Sequence, residues 1–326
     1  MSDTSAPQFK SAHRPRIATM HSLGPVASAM SLGLNAEPQR AKQLKISDPE
    51  TFKGRKGFDS DFLGTFGVPL PRPGAQLKKD VTKVPGQRNG RLDYQHFSVV
   101  MSASRRMAMF VAVNIEGSRP IEIDRDNDAW YLDGRIPVEA QLGEALYEGN
   151  RLDRGHLVRR MDPNWGSKTD AERANADTFH FTNCAPQMDI VNQRTWLGLE
   201  NYILDNAQLW RARCTVFTGP VFSKNDMQYR DALIPLAFWK VVAFLGEDGE
   251  PSATAYLITQ DKELSALSAA FGAYKTYQRS VVSIEKMTGL SFGKLSRFDG
   301  YSNEEVALGG SSEISTPLSS LADIRV

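Results

Sequence analysis

Two cysteines, Cys184 and Cys214, stand in a chain of 326 residues. That is too few for a disulfide-built scaffold of this size, so a reducing compartment is the default expectation. A single Cys184–Cys214 bridge is disfavoured. Long hydrophobic runs are absent as well. None approaches the roughly 20 apolar residues that span a bilayer, which excludes a membrane-spanning helix. Charge of one sign is also scarce: 39 Lys and Arg against 38 Asp and Glu leave +1. Any attraction to polyanions must therefore come from local patches rather than from the whole chain. Histidine occurs five times, so each can be weighed individually.

The composition that remains is globular: 41% hydrophobic, 24% charged and 9% aromatic. Residues 1–90 carry Pro-rich and basic punctuation, as in GVPLPRPGAQLKKDVTKVPGQRNGR, and read as an extended N-terminal arm. Within it, GFDSDFLG offers Phe58, Phe62 and Leu63 to dock the arm on a core. The leader is poor in acids and lacks a secretory core. It is read as a disordered leader in a cytoplasmic protein, with mitochondrial or exported destinations as alternatives.

From Tyr94 onward β-rich runs appear. HFSVVMS and MAMFVAVNI, separated by Ala-Ser-Arg-Arg, predict a hairpin, and the second predicts a strand buried on both faces. DTFHFTN, CTVFTGPVF, AFWKVVAFLG and SATAYLIT are further strand candidates; 189–209, 262–276 and 282–289 are helical candidates. Grouped strands with helices between them predict an α+β fold, a central antiparallel β-sheet flanked by helices. The expected organisation is an arm over 1–90, a catalytic domain over 91–296 and a C-terminal tail over 297–326.

One stretch concentrates chemistry: RLDRGHLVRRMDPNW, residues 151–165. A histidine can serve as general base because it titrates near neutral pH. Arg154, with Arg159 or Arg160, can supply fixed positive charge to phosphate oxygens. Gly155 removes a side chain beside His156 and lets a backbone-sized group approach. The bland reading is a solvated histidine among surface charges, and residues 151–165 alone favour that reading. Further along, in TNCAPQMDIVNQRTWLGLENYI, a helix from Asp189 would align Asn192, Trp196 and Glu200 on one face over about 12 Å. Asn192 and Glu200 are hard oxygen donors suited to Mg²⁺. Too distant to be joint ligands, they would act as a direct ligand and a water-mediated one. Taken singly, Asn192 could be a helix cap, Glu200 a solvated carboxylate and Trp196 a core residue. Asp153 and Asn183 could simply fix local backbone.

The strings DRGH, TNCAPQ, NQRTWLGLE, TGPVF, IPLAFWKV and SIEKMTGLSF follow in this order across residues 94–295. They resemble the DNA/RNA non-specific endonuclease family, the ββα-metal nucleases that include endonuclease G. The resemblance implies a ββα-metal motif with His156 as general base and Asn192 as the direct Mg²⁺ ligand, for which Mn²⁺ or another divalent cation could substitute. It implies that Arg154 holds the site and its phosphate, that Asn183 orients base or substrate, and that Glu200 holds the water around the metal. Arg159, Arg160 and Arg194 are substrate-binding candidates and Asp153 a supporting one. The implied reaction is sequence-nonspecific cleavage of DNA and RNA that leaves 5′-phosphate ends. Homodimerisation is a family expectation.

One departure stands out: relatives commonly carry arginine one turn after the glutamate, where this chain has Leu204. A second family arginine upstream of DRGH would be Arg119 or Arg125. Two other roles compete with the nuclease reading. One is a nucleic-acid-binding protein without turnover; the other is the same chemistry delivered as a toxin, which would come with a protein inhibitor. His13, His21, His96 and His180 are read as structural or solvated.

Overall fold

The structure, a computed structural model, describes residues 44–125, 129–188, 197–209, 212–246, 248–260, 276–301 and 316–318. Ten labelled strands organise them: β1 (Arg91–Asp93), β2 (Phe97–Ser102), β3 (Met107–Glu116), β4 (Leu152–His156), β5 (Cys184–Met188), β6 (Arg213–Val221), β7 (Ala237–Leu245), β8 (Pro251–Thr259), β9 (Thr276–Arg279) and β10 (Thr316–Leu318). Eight of them form one sheet, ordered β10-β9-β8-β7-β6-β3-β2-β1. Every pairing in it is antiparallel. The expected antiparallel α+β architecture is the one found.

All ten residues of β3 are buried, because both faces of this sheet are covered. One face carries Val111, Val113, Val216, Phe238 and Val242, which pack with Leu152, Leu157, Met188, Leu199 and Leu204. The other carries Phe217, Trp239, Val241 and Ala255. These pack under Phe58, Phe62, Leu63 and Phe66 of the N-terminal segment and under Ile284, Leu290 and Phe292 near the C-terminal end. The GFDSDFLG segment therefore docks as its aromatic spacing suggested. Arg55 Nε reaches across to Asp177 Oδ2 at 2.7 Å, tying the same segment to the site-bearing layer.

Four helices are described: α1 (Ala75–Lys79), α2 (Lys168–Asp177), α3 (Leu197–Leu209) and α4 (Val281–Thr288). α4 begins at Ser280, whose Oγ accepts from Ser283 N at 3.1 Å, and ends at Gly289 with φ 69°. Sequence reasoning missed α2, whose KTDAERANAD buries only Ala171, Ala174 and Asp177 and so carries no apolar stripe. Its start is nevertheless encoded, since Ser167 Oγ accepts from Asp170 N at 3.1 Å.

The expected strand DTFHFTN is a correction. Asp177 closes α2, Thr178 N bonds back to Ala174 O, and residues 181–183 make a 3₁₀ turn. Its aromatics are buried around the site without belonging to a ladder. The start of the helix expected from Asp189, and the helix expected over 262–276 up to residue 275, lie outside the described residues. Within the tail, Thr316–Leu318 adds β10 to the sheet edge, paired to β9.

Candidate active site

Strands β4 and β5 pair antiparallel, Leu152↔Met188 through His156↔Cys184. They form a two-stranded ribbon apart from the main sheet, and α3 follows. The order β4, β5, α3 is the ββα arrangement expected from the sequence strings. Asp153 faces Gln187 across the ribbon and Gly155 faces Ala185.

His156 ends β4 and is half-buried. Its ring leans on Trp130, with centroids 4.7 Å apart, and meets the edge of Phe179 at 5.2 Å. These aromatic walls leave the imidazole few alternative orientations. The backbone just beyond it is clamped by Asn183: Oδ1 accepts from Val158 N, and Nδ2 donates to Val158 O and Thr178 O, at 2.9, 2.9 and 3.0 Å. Main-chain bonds Leu157 N to Asn183 O and Asn183 N to His180 O complete the clamp. Asn183 is fully buried, and its amide is committed to the backbone that follows His156.

Arg154 pairs with Glu144: Nε to Oε2 is 3.0 Å, with a second, shorter contact from Nη2 to Oε1. Its guanidinium lies over the Tyr147 ring at 5.4 Å. Glu144 was not singled out from the sequence, because a lone acid in a loop has no local signal. Gly155 is a close-approach glycine. A Cβ placed there would come within 2.2 Å of Gln187 Cδ and Oε1. Gln187 is itself fully buried, and among the described residues neither its Nε2 nor its Oε1 has a hydrogen-bond partner. An amide left unpaired at this depth costs stability.

The arginines separate by environment. Arg160 Nη1 donates to Ile123 O at 2.7 Å and Asn175 Oδ1 at 3.1 Å. With Arg125, Lys168, Tyr131 and Phe179 it lines an open cavity of about 630 Å³. Phe179 stands both against the His156 ring and on the wall of this cavity. Glu122, Asp124 and Glu172 line it too. Arg159 has a buried Nη1 without a hydrogen-bond partner among the described residues. Arg119 is mostly exposed and reaches Glu116 at only 3.9 Å, so Arg125 is the upstream arginine that lies near the site. Arg194, Asn192 and Trp196 lie outside the described residues.

Glu200, in the first turn of α3, is buried and ion-paired to Lys240 Nζ at 3.0 Å. Lys240 Nζ also lies 3.1 Å from Thr218 Oγ1. Burial pushes the Asp162 carboxyl up to about 7; the Glu200 charge adds to this, while Arg159 and Lys240 oppose it. Leu204, at the position where relatives carry arginine, is buried with Leu199 and Ala207 in the core. Neither Lys240 nor Asp162 was identified from the sequence. A lone lysine inside AFWKVVAFLG is, however, a legible anomaly. Cys184 and Cys214 are both free and buried; burial pushes the Cys184 thiol up to about 12 and raises Cys214 too. No thiolate chemistry follows from either.

Among the described residues no group of three or more His, Cys, Asp or Glu side chains is placed to hold a metal ion. Mg²⁺ prefers oxygen donors, amide and carboxylate oxygens among them, together with water. The buried, unsatisfied Gln187 amide and the Glu200 carboxylate fit that chemistry.

Comparison with known proteins agrees with this geometry. The profile of the DNA/RNA non-specific endonuclease family matches residues 74–297. A Sinorhizobium fredii protein named uncharacterized protein y4fB is 41% identical over 249 residues, 72% of this chain and 37% of that protein. Human mitochondrial endonuclease G is 27% identical over 196 residues, covering 55% of this chain and 62% of its own length. A Nostoc nuclease is 28% identical over 205 residues, 60% of this chain and 70% of that protein. The chain thus spans well under two thirds of the first of these and slightly under two thirds of the second. The fold resembles that in a crystal structure of an EndoG/EndoGI complex. The TM-score is 0.50 at 18% identity, over 68% of this chain and 91% of that one. On the ββα order of its site and the profile match across most of its length, this chain belongs to the DNA/RNA non-specific endonuclease family.

Proposed function

We propose that this protein is an endonuclease that hydrolyses phosphodiester bonds of DNA and RNA without strong sequence preference. The observation that carries the reading is His156. It closes the first strand of the ββα ribbon between Trp130 and Phe179, with the following backbone clamped by Asn183.

In this reading the imidazole of His156 takes a proton from the water that attacks phosphorus. The aromatic walls fix its direction, and Asn183 fixes its height above the ribbon. Arg154, braced by Glu144, faces the phosphate, and Arg159 offers an uncommitted guanidinium nitrogen to the charge that develops there. Leu204 supplies no such charge, and Arg159, whose charge reaches the Asp162 carboxyl that also feels Glu200, is the candidate to replace the family's. Gly155 keeps the ribbon open to the substrate backbone.

A divalent cation, Mg²⁺ by family with Mn²⁺ as a substitute, would neutralise charge on the phosphate and the departing 3′ oxygen when bound. Asn192 would hold it directly and Glu200 through water. The expected products carry 5′-phosphate ends. Nothing in this chemistry uses a 2′-hydroxyl, so DNA and RNA are both substrates. The cavity beside Phe179, with Arg125, Arg160 and Lys168 on its wall, is the path for the strand.

Homodimerisation and a cognate protein inhibitor remain proposals, as do the domain division at residues 90 and 296 and a cytoplasmic location. No described helix is long and apolar enough to cross a membrane. Incubation of the purified protein with supercoiled plasmid and with single-stranded RNA, in Mg²⁺ or in EDTA, tests the reading. Mg²⁺-dependent nicking and RNA cleavage support it. A protein that binds both nucleic acids and cleaves neither would be a binding protein on a nuclease fold.

A further inference from the structure

Lys240 sits in the middle of β7, an interior strand, opposite Thr218 on β6 and Tyr256 on β8. Its side chain is 1% exposed. Phe238 and Val242, its neighbours on the same face of the strand, belong to the apolar core. Burying an ammonium there costs several kcal/mol, and an apolar residue of similar volume often stabilises such a position as well or better. The fold itself therefore gives no reason for a lysine.

What the lysine does touch is the site. Its Nζ lies 3.0 Å from Glu200 Oε1 and 3.1 Å from Thr218 Oγ1. At that separation the buried ammonium and carboxylate form a close ion pair. The second nearby carboxyl, Asp162, is driven toward its neutral form by burial and by the Glu200 charge. Glu200 is thus the carboxylate that answers Lys240. The helix offers no cation of its own one turn on, because Leu204 faces the core.

We propose that Lys240 is a positioning residue of the cleavage reaction. From the sheet it pins the Glu200 carboxylate of α3 where that carboxylate can order the water around a divalent cation, in place of a cation on the helix. This rests on the reading of Glu200 given above. Lys240 reaches the metal only through Glu200, so removing either residue removes the same interaction.

The test compares wild type with Lys240→Met, Glu200→Gln and the double variant. It measures Mn²⁺ binding by electron paramagnetic resonance, thermal unfolding, and plasmid nicking per folded molecule. Lys240→Met and Glu200→Gln are each expected to weaken Mn²⁺ binding about 10-fold and to slow nicking by about 10- to 100-fold, as losses beside a metal site do. The double variant should be no worse than the poorer single one, because contacting residues act as a unit. If Glu200→Gln behaves as wild type, the reading of Glu200 fails and the inference with it. If Glu200→Gln is impaired while Lys240→Met binds Mn²⁺ normally, or if the two losses multiply, the inference alone is overturned. Should Lys240→Met not fold, Thr218→Val decides. That change removes only the hydroxyl that steadies the ammonium; weaker Mn²⁺ binding supports the proposal and unchanged binding overturns it.

Discussion

Asn183 grips Val158 at both ends of its peptide group, accepting from its N–H and donating to its carbonyl, each at 2.9 Å. The side chain is committed to main-chain groups, and it holds the peptide two residues beyond His156. Asn183→Ala would leave buried backbone groups unpaired, at about 1–3 kcal/mol for each lost partner. With three such partners lost, a fall of at least about 3 kcal/mol in urea unfolding is expected. Nicking at low temperature, where the variant is folded, should fall with it. Loss of stability with full activity would make the clamp irrelevant to the base.

Gly155 and Gln187 make a second coupled pair. Gly155→Ala forces a methyl into the space of the Gln187 amide, and overpacking of this kind costs about 1–3 kcal/mol. Adding Gln187→Ala should restore most of the stability and none of the activity if the orphan amide serves the site. Urea melts and nicking assays on the two variants check both halves.

Arg154 and Glu144 are each about a third exposed, so their pairing contributes at most about 1 kcal/mol to stability. Arg154→Ala should leave the melting temperature nearly unchanged while slowing cleavage by about 10-fold or more, since a charge aimed at the developing phosphate is lost. Glu144→Gln should slow it less, because it loosens the guanidinium without removing it. Equal melting shifts and equal activity in both variants would assign the pair to the surface alone.

Asp162 gives the fold a pH signature. Its carboxyl is raised to about 7 in the folded protein, against an ordinary value of 3.8. The folded state therefore holds a proton that the unfolded state releases. Stability from this group is fully present below about pH 4 and declines as pH rises to about 7. Above that the loss is constant, at roughly 4 kcal/mol for a shift of this size. Asp162→Asn should flatten urea stability between pH 4 and 7 relative to wild type. A parallel curve in the variant would remove Asp162 from the balance.

The sheet was legible because its strands carry their own signal. MAMFVAVNI is apolar on both alternate sets, and all of β3 is buried on both faces. The turn at Ala-Ser-Arg-Arg was legible from the break in that pattern; Arg106 adopts φ 57° there. α2 was not legible, because a helix whose buried residues are two alanines and an aspartate shows no apolar stripe. DTFHFTN misled because its aromatics bury against the site from a helix end and a turn, and burial alone cannot tell those from a strand. At the site, the strings named His156, Arg154 and Asn183 because chemistry and local structure coincide in short stretches. Glu144 beside Arg154, Gln187 beside Gly155, and Lys240 beside Glu200 are neighbours that only the folded chain reveals.

The central claim is that His156 is the base of a phosphodiester-cleaving site. The direct measurement is nicking of supercoiled plasmid in Mg²⁺ by wild type and by His156→Ala at equal folded concentration, with added imidazole as a third arm. The account predicts Mg²⁺-dependent nicking by wild type and a loss of about 100- to 10,000-fold in the variant, the range for a removed general base, with partial recovery in imidazole. Equal nicking by the two proteins would contradict it.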